Sequence, residues 1–250
     1  MMTARADFTR AAYRELLTAF LDRGYRGRRF EDAEPGDPDL LLRHDIDLWP
    51  DAALEIARIE AELGLSAEYF FLLNSPLYDL SATENRSVLR ELRDLGHGIG
   101  LHFDAALYPD EKPVLDAEAD RECRVLEDIS GVSVTLISFH RPSRALLGVA
   151  DPIAGRAHTY QPRFFSEMAY CSDSRGAWRH GHPLSHPGVA EGRAVQLLTH
   201  PIWWATDCAG DRDRALATFV EQRGDWVKPA IAETITGYSA ESGRIVETDR

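Results

Sequence analysis

Cysteine is scarce in this chain of 250 residues, which contains only Cys123, Cys171 and Cys208. Their number is odd, they lie far apart, and no Cys-x-x-Cys pair is present. Neither a disulfide framework nor a zinc knuckle is therefore indicated. The sequence favours a reducing compartment.

Basic charge and long hydrophobic runs are also lacking. With 28 basic against 41 acidic residues the net charge is −13, so no broad surface is available to neutralise a phosphate backbone. Charge interrupts residues 1–10 before an apolar signal segment could form, and no later run reaches membrane-spanning length. We expect no nucleic-acid partner, no membrane span and a cytoplasmic location.

The sequence does contain a repeated alternation of strand-like and helical segments. Apolar spacing, with stops at Gly24 and Gly64, predicts helices over 8–23, 50–63, 83–95 and 116–129. Strands are predicted over 40–47, 66–73, 98–103, 132–139 and 195–199. Polar clusters follow these strands, which favours a parallel sheet closed into a barrel, in one domain over 1–250. Residues 144–194 show no clear strand pattern.

The first polar cluster ends a run of leucines with Arg43-His44-Asp45-Ile46-Asp47. Side chains alternate along a strand, so Asp45 and Asp47 lie on one face. Two neighbouring carboxylates in different environments could divide the work, one holding a cation and the other accepting a proton. The pattern indicates a metal hydrolase.

Four more polar clusters stand at or beyond predicted strand ends, where parallel α/β folds build active sites. They are 97–104, which contains His102, and 138–142, 170–178 and 198–204. In motif order, the five clusters resemble the polysaccharide deacetylase (NodB-like, carbohydrate esterase family 4) superfamily. The particular likeness is to the deacetylase-like branch whose first motif is Arg-His-Asp-Val-Asp. The resemblance spans residues 40–205.

The resemblance implies a distorted (β/α)7 barrel and removal of an N-acetyl group with a divalent metal, usually zinc. Asp45 would match the general base and Asp47 the metal carboxylate, although Ile46 between them leaves these two roles exchangeable. His102 would match the first metal histidine. Arg141 would match the arginine that orients the base.

The fourth and fifth motifs carry the remaining implied roles. Asp173 and Trp178 match the motif that positions the catalytic acid and walls the acetyl pocket, and His200 matches the acid itself. Trp203 and Trp204 follow directly, and two adjacent tryptophans cannot both enter one core from a strand. One is expected to line the substrate cleft, with core packing as an equal alternative.

One departure concerns the metal ligands, because Ala106 stands where the resemblance expects a second histidine. His140, at the end of the strand 132–139, is the predicted replacement, with Asp104 as a second choice on the face of His102. Asp47, His102 and His140 would then hold the metal and leave one position open, as catalytic zinc sites require.

Purely structural interpretations exist for some of these residues. Asp47 could cap the helix that begins at Pro50, and Arg141 could be an ordinary buried ion-pair partner. His97 could only satisfy backbone groups in a turn, and His44 is expected to point away from Asp45.

The sequence thus favours a metal-dependent amide hydrolase acting on an amino sugar. A cytoplasmic address favours a small nucleotide-linked or lipid-linked sugar or a natural-product intermediate as the substrate. A catalytically silent carbohydrate-binding protein is the alternative that Ala106 suggests. A His-Asp phosphohydrolase is a weaker one, because in those enzymes the pair lies on a helix, whereas a leucine run without helical period precedes it here.

Overall fold

The computed structural model describes residues 8–179 and 181–246. Contacts divide the chain into two compact units, one up to Gly210 and one from Asp211 onward. The single domain expected over 1–250 stays a prediction.

The first unit is built on parallel strands. Among its described residues they are β1 Arg26–Gly27, β2 Asp39–Ile46, β3 Ala67–Phe71, β4 Gly98–Phe103, β5 Leu136–Phe139, β6 Ala157–His158, β7 Ala169–Ser172 and β8 Val195–Thr199. Seven of them pair in the order β6-β5-β4-β3-β2-β8-β7, and β1 pairs with the start of β2. This is the circular order of a seven-stranded barrel that is open between β6 and β7. The α/β fold class and the distorted (β/α)7 barrel are confirmed.

Side chains bridge the open seam between β6 and β7. Gln196, on β8, donates from Nε2 to the carbonyl oxygens of Thr159 (3.0 Å) and Phe164 (2.8 Å). The ring centroids of Tyr160 and Tyr170 lie 6.4 Å apart across the same gap. Polar and aromatic contacts therefore replace the missing strand pairing.

Helices surround the barrel and follow the expected start and stop signals. The described helices of this unit are α1 Arg10–Asp22, α2 Pro50–Glu62, α3 Thr83–Asp94, α4 Lys112–Ser130, α5 Pro162–Phe165, α6 Pro187–Ala190 and α7 Pro201–Ala205. The Thr9 hydroxyl caps α1 by accepting from the Ala12 amide at 3.1 Å. Gly131 ends α4 in the left-handed conformation, with φ of 74°.

Alternation along the strands separates two apolar layers. Outward side chains such as Leu40 and Leu42 pack under the helices, whereas the interior holds an apolar cluster at the amino-terminal end of the barrel. That cluster comprises Phe30, Ala33, Leu41, Phe70, Leu136, Phe164, Met168 and Ala194. The interior nearer the carboxyl ends of the strands is left for polar groups.

Most predicted elements are present, with shifted boundaries. α4 begins at Lys112 rather than 116, because Pro113 fits the first helical turn. β5 begins at Leu136 rather than 132, since the Val134 amide donates to the Glu127 side chain (2.9 Å) instead of to a neighbouring strand. β6 and β7 lie in the region without a strand pattern, and two and four residues are too few to show one.

The second unit contains a long helix and a small hairpin. α8 spans Arg212–Thr234 and is capped by Asp211, whose side chain accepts from the Arg214 amide at 3.1 Å. β9 Tyr238–Ser239 pairs antiparallel with β10 Arg244–Ile245. Across both units, no helix in the described part of the chain is long and apolar enough to cross a bilayer.

Gly100 gives a test of the packing beneath the site. A Cβ there would lie 2.4 Å from the buried Phe70 ring and 2.9 Å from the Leu136 carbonyl oxygen. We expect Gly100→Ala to lower the free energy of unfolding by about 1–3 kcal/mol through overpacking. Gly36→Ala is the control, because no heavy atom lies within 4 Å of its Cβ position. Equal denaturation midpoints for the two variants would contradict this packing of β3 against β4.

Candidate metal centre

The carboxyl ends of four strands bring the predicted metal-binding and acid/base residues together. Asp45 lies in β2 and Asp47 just beyond it, His102 in β4, and His140 and His200 directly after β5 and β8. Parallel strands present their carboxyl ends at one edge, which is where barrel enzymes place their sites. The five side chains therefore lie at one edge of the sheet, and their joint role as a site stays a prediction.

Asp47, His102 and His140 form a group that could hold a metal ion, with one ligand atom of each lying within 4.8 Å of the others. Asp47 Oδ1 is 3.2 Å from His102 Nε2 and 3.9 Å from His140 Nε2. An aspartate oxygen and two imidazole nitrogens are ligands that Zn²⁺ commonly takes in catalytic sites.

Ser138 determines which nitrogen of His102 is free. Its Oγ lies 3.0 Å from His102 Nδ1, donates to Asp45 Oδ1 (3.1 Å), and accepts from Arg43 Nη2 (2.6 Å). Because the only hydroxyl proton goes to Asp45, His102 must donate from Nδ1. In the neutral ring the free lone pair is then on Nε2, which faces Asp47.

The unpaired oxygen of Asp47 supports the fit of a cation. Oδ1 is buried and accepts no hydrogen bond of acceptable geometry, despite the 3.2 Å contact with His102 Nε2. Two acceptor atoms facing each other at this distance repel unless a proton or a cation lies between them. The donor set is therefore suited to a divalent metal.

Asp104 orients His140 in the same way. Its Oδ2 lies 3.0 Å from His140 Nδ1 and accepts from Arg141 Nη2 at 2.6 Å, while Oδ1 accepts from the Ala106 amide at 3.3 Å. Burial raises the pKa of Asp104, but bonds from Arg141 and His140 outweigh it and lower the pKa. Asp104 thus orients His140 by bonding to its Nδ1, and His140 rather than Asp104 faces Asp47.

Arg43 orients Asp45, and this corrects the prediction for Arg141. Arg43 is completely buried and donates to both oxygens of Asp45, from Nε at 3.0 Å and from Nη2 at 2.8 Å. Burial alone would raise the pKa of Asp45, but the Arg43 charge holds it well below its usual range. Arg141 donates to Asp104 instead, because it lies two residues beyond the end of β5, whereas Arg43 lies in β2 beside Asp45.

His200 lies on the other side of Asp47 and is held by Asp173. The Asp173 carboxylate accepts from His200 Nδ1 (2.6 Å) and from the His200 amide. His200 Nε2 points toward Asp47 Oδ2, 3.8 Å away. Burial lowers the pKa of His200, yet Asp173 and then Asp47 raise it to about 9. The imidazole is therefore protonated at neutral pH in the metal-free protein.

The tryptophans occupy three different positions. Trp204 is only 2% exposed and donates from Nε1 to Asp173 Oδ2 at 2.7 Å, so it orients Asp173. Trp178 is half-buried, and the centroids of its ring and the Trp204 ring lie 6.0 Å apart. Both side chains line a cleft of about 350 Å³ beside α1. Trp203 is half-buried. Substrate contact by Trp178, Trp203 and Trp204 stays a prediction.

His44 and His97, which lie outside the site, have structural partners. His44 points to the outer face of β2, where Nε2 meets Glu60 at 2.7 Å and Nδ1 meets Thr199 at 2.7 Å. His97 contacts the backbone at Ala67 and Ala57. His44 and Asp45 thus face opposite sides of β2, and the pair expected of a His-Asp phosphohydrolase does not form one site.

Arg43 and Ser138 were given no role by the sequence argument. Arg43 stands two residues before Asp45, and Ser138 two residues before His140. The strand alternation that placed Asp47 beside Asp45 also places these side chains on the barrel's inner face. The signal was therefore present in the sequence.

No family model matches the chain, and no curated protein matches it. Solved structures do match it. A carbohydrate esterase family 4 pseudoenzyme from Bacillus anthracis is 13% identical in sequence to this chain, with a TM-score of 0.42. The match covers 77% of this chain and 62% of that one. A family 4 carbohydrate esterase from Bacillus anthracis is 16% identical (TM-score 0.44), over 86% of each chain. A mutant of a peptidoglycan deacetylase from Bacillus subtilis is 15% identical in sequence (TM-score 0.44), and the match covers 81% of this chain and 97% of that one.

The first two matches carry the name of the family that the motif order resembles. The chain spans less than two thirds of the pseudoenzyme's length. With TM-scores of 0.42 to 0.44 and identities of 13 to 16%, these likenesses assign no activity to this chain. The fold rests on the strand order described above.

Asp104 gives a test of how His140 is oriented. Asp104→Ala removes the acceptor of His140 Nδ1, and we expect zinc affinity to fall about 10- to 100-fold, the usual cost of losing such a partner. Competition with a chromophoric chelator measures the affinity. The control is Asp110→Ala, because Asp110 is exposed in the same segment and has no side-chain partner among the described residues. Unchanged affinity in Asp104→Ala would show that His140 needs no support from Asp104.

Proposed function

We propose that this protein is a metal-dependent hydrolase that removes an N-acyl group, most simply acetyl, from an amino sugar. The observation that carries the proposal is the convergence of Asp47, His102 and His140 within 4.8 Å, with a carboxylate and a histidine on its flanks. Membership of the polysaccharide deacetylase superfamily and zinc as the physiological metal are parts of this proposal. A divalent cation held by the three residues would polarise the acyl carbonyl and acidify water.

Asp45 is the proposed general base. Its Oδ2 lies 3.7 Å from His102 Nε2, so the carboxylate borders the metal group. The ion pair with Arg43 fixes its position and keeps it ionised. A positioned carboxylate of this kind takes a proton from the attacking water. The bonds to Arg43 distinguish Asp45 from Asp47, whose Oδ1 has no hydrogen bond, and favour base for the first and ligand for the second.

His200 is the proposed general acid. Amide cleavage expels an amine that must be protonated as it leaves. Asp173 accepts a hydrogen bond from His200 Nδ1 at 2.6 Å, so the proton on Nε2 is the one directed toward the metal group. Trp204 and the His200 amide hold Asp173 in turn. The base and the acid thus flank Asp47, as hydrolysis of a bound amide requires.

The substrate class follows from this chemistry together with the motif resemblance. An N-acylated amino sugar, free, nucleotide-linked or lipid-linked, or a natural-product intermediate that contains one, offers the amide that the site would cleave. A screen of N-acetylated sugars for released acetate tests this directly. A catalytically silent binding protein would bind such sugars and release no acetate with any divalent metal.

The three proposed ligands are tested by their alanine variants. Asp47→Ala, His102→Ala and His140→Ala should each remove most of the bound zinc, because losing one of three protein ligands costs most of the affinity. Metal content after dialysis gives the measurement, and His186→Ala is the control, since His186 only caps the Gly188 amide. Full occupancy in any of the three variants would remove that residue from the ligand set.

The acid and base are tested by turnover at constant metal content. Asp45→Asn and His200→Ala should each lower kcat by roughly 10²-fold or more while zinc remains bound, because each removes a positioned proton-transfer group. Zinc is measured on the same samples, so that a lost ligand is not mistaken for a lost base. Near-normal turnover in Asp45→Asn would leave Asp45 as a structural partner of Arg43.

A further inference from the structure

Arg141 has no task in the mechanism proposed above, because Arg43 orients the base. It directly follows the proposed metal ligand His140, and its side chain is 69% exposed. An accessible positive charge therefore lies next to a proposed metal ligand in the chain. This charge lies at the rim of the site rather than within the barrel.

One bond fixes the position of the Arg141 guanidinium. Nη2 donates to Asp104 Oδ2, and the same oxygen accepts from His140 Nδ1, so the guanidinium and the His140 ring lie within roughly 6 Å of each other. Arg141 makes no other hydrogen bond or ion pair with the described residues. Its Nε and Nη1 donors therefore face solvent beside the metal group.

The backbone at Arg141 is strained. Its φ is 47°, in the left-handed region that residues with a Cβ rarely adopt. Such a conformation costs about 1 kcal/mol or more and persists where the surrounding structure requires it. Here it places an arginine, rather than a glycine, at the edge of the site.

Two further basic groups occur on the loops at this edge of the sheet. Arg144 follows β5 and Arg179 follows β7, and both are exposed. Among the described residues of the first unit, they are the two arginines whose guanidinium groups have no hydrogen bond, ion pair or ring contact. Within the described part of the first unit, the arginines without such contacts thus lie on loops that follow these strands.

We infer that Arg141 binds an anionic group, a carboxylate or a phosphate, on the substrate of this site. The inference rests on the proposed hydrolysis and narrows its substrate to an N-acylated sugar that carries a negative charge near the amide. A guanidinium presents two parallel N–H donors that match either anion. Asp104, which holds both Arg141 and His140, keeps the anion site and the metal site at a fixed separation.

Binding to the metal-free protein tests the inference without requiring turnover. The probes are N-acetylglucosamine, N-acetylglucosamine 1-phosphate and N-acetylmuramic acid, measured by calorimetry at pH 8. We expect at least one charged sugar to bind about 10-fold more tightly than the neutral one, the scale of a charge-assisted bidentate contact. The phosphate and the carboxylate probes separate the two sources of the anion.

Variants assign the effect to Arg141. Arg141→Met should lower the preference for the charged sugar to within about 2-fold. Arg141→Lys should keep part of the preference, because lysine retains the charge but lacks the two parallel N–H donors of the guanidinium. Arg124→Met is the matched control, because Arg124 is also exposed (66%) and paired with an aspartate, Asp120, but lies on α4. Zinc content of each variant verifies that His140 still binds metal.

The two hypotheses fail in different ways. Equal binding of charged and neutral sugars, absence of binding by both charged sugars, or a preference that survives in Arg141→Met would overturn the anion site. None of these outcomes concerns hydrolysis. If the zinc-loaded protein releases acetate from none of the sugars while the Arg141-dependent preference is present, the proposed hydrolysis fails and the anion site stands.

Discussion

The buried ion pair between Arg43 and Asp45 is the interaction on which the site depends. Removing both charges from water is costly, and breaking such a pair costs about 3–5 kcal/mol because one charge remains uncompensated. Arg43 offsets this cost with further bonds to Ser138, Gln196 and Tyr160 inside the barrel. The same side chain thus fixes the base, supports the serine behind His102, and connects β2 to β8 and to the open seam.

Each of the three site histidines is oriented by a different acceptor at Nδ1. Ser138 serves His102, Asp104 serves His140, and Asp173 serves His200. All three Nε2 atoms consequently face Asp47. His140, after β5, lies beside the end of β4, since the two strands are neighbours and the Phe103 carbonyl oxygen accepts from the His140 amide at 2.9 Å. That His140 replaces the histidine absent at Ala106 stays a prediction.

The alternation of strand and helix was predictable because long buried strands and amphipathic helices leave strong periodic patterns. The shared face of Asp45 and Asp47 followed from strand geometry alone. The seam strands β6 and β7 were not predictable, since two to four residues carry no period. The partners of Arg141 and Trp204 also could not be read from motif order. They depend on where β5 ends and on how α7 turns Trp204 toward Asp173, which only the packed structure determines.

The most direct test of the central claim is X-ray absorption on the zinc-loaded protein. The account predicts one zinc per chain, with two imidazole nitrogens at about 2.0–2.1 Å and the remaining ligands oxygen. It also predicts that one imidazole is lost in His140→Ala. A protein that takes up no stoichiometric zinc, or a zinc site whose imidazole count is unchanged by that substitution, would contradict the assignment of Asp47, His102 and His140 as a metal centre.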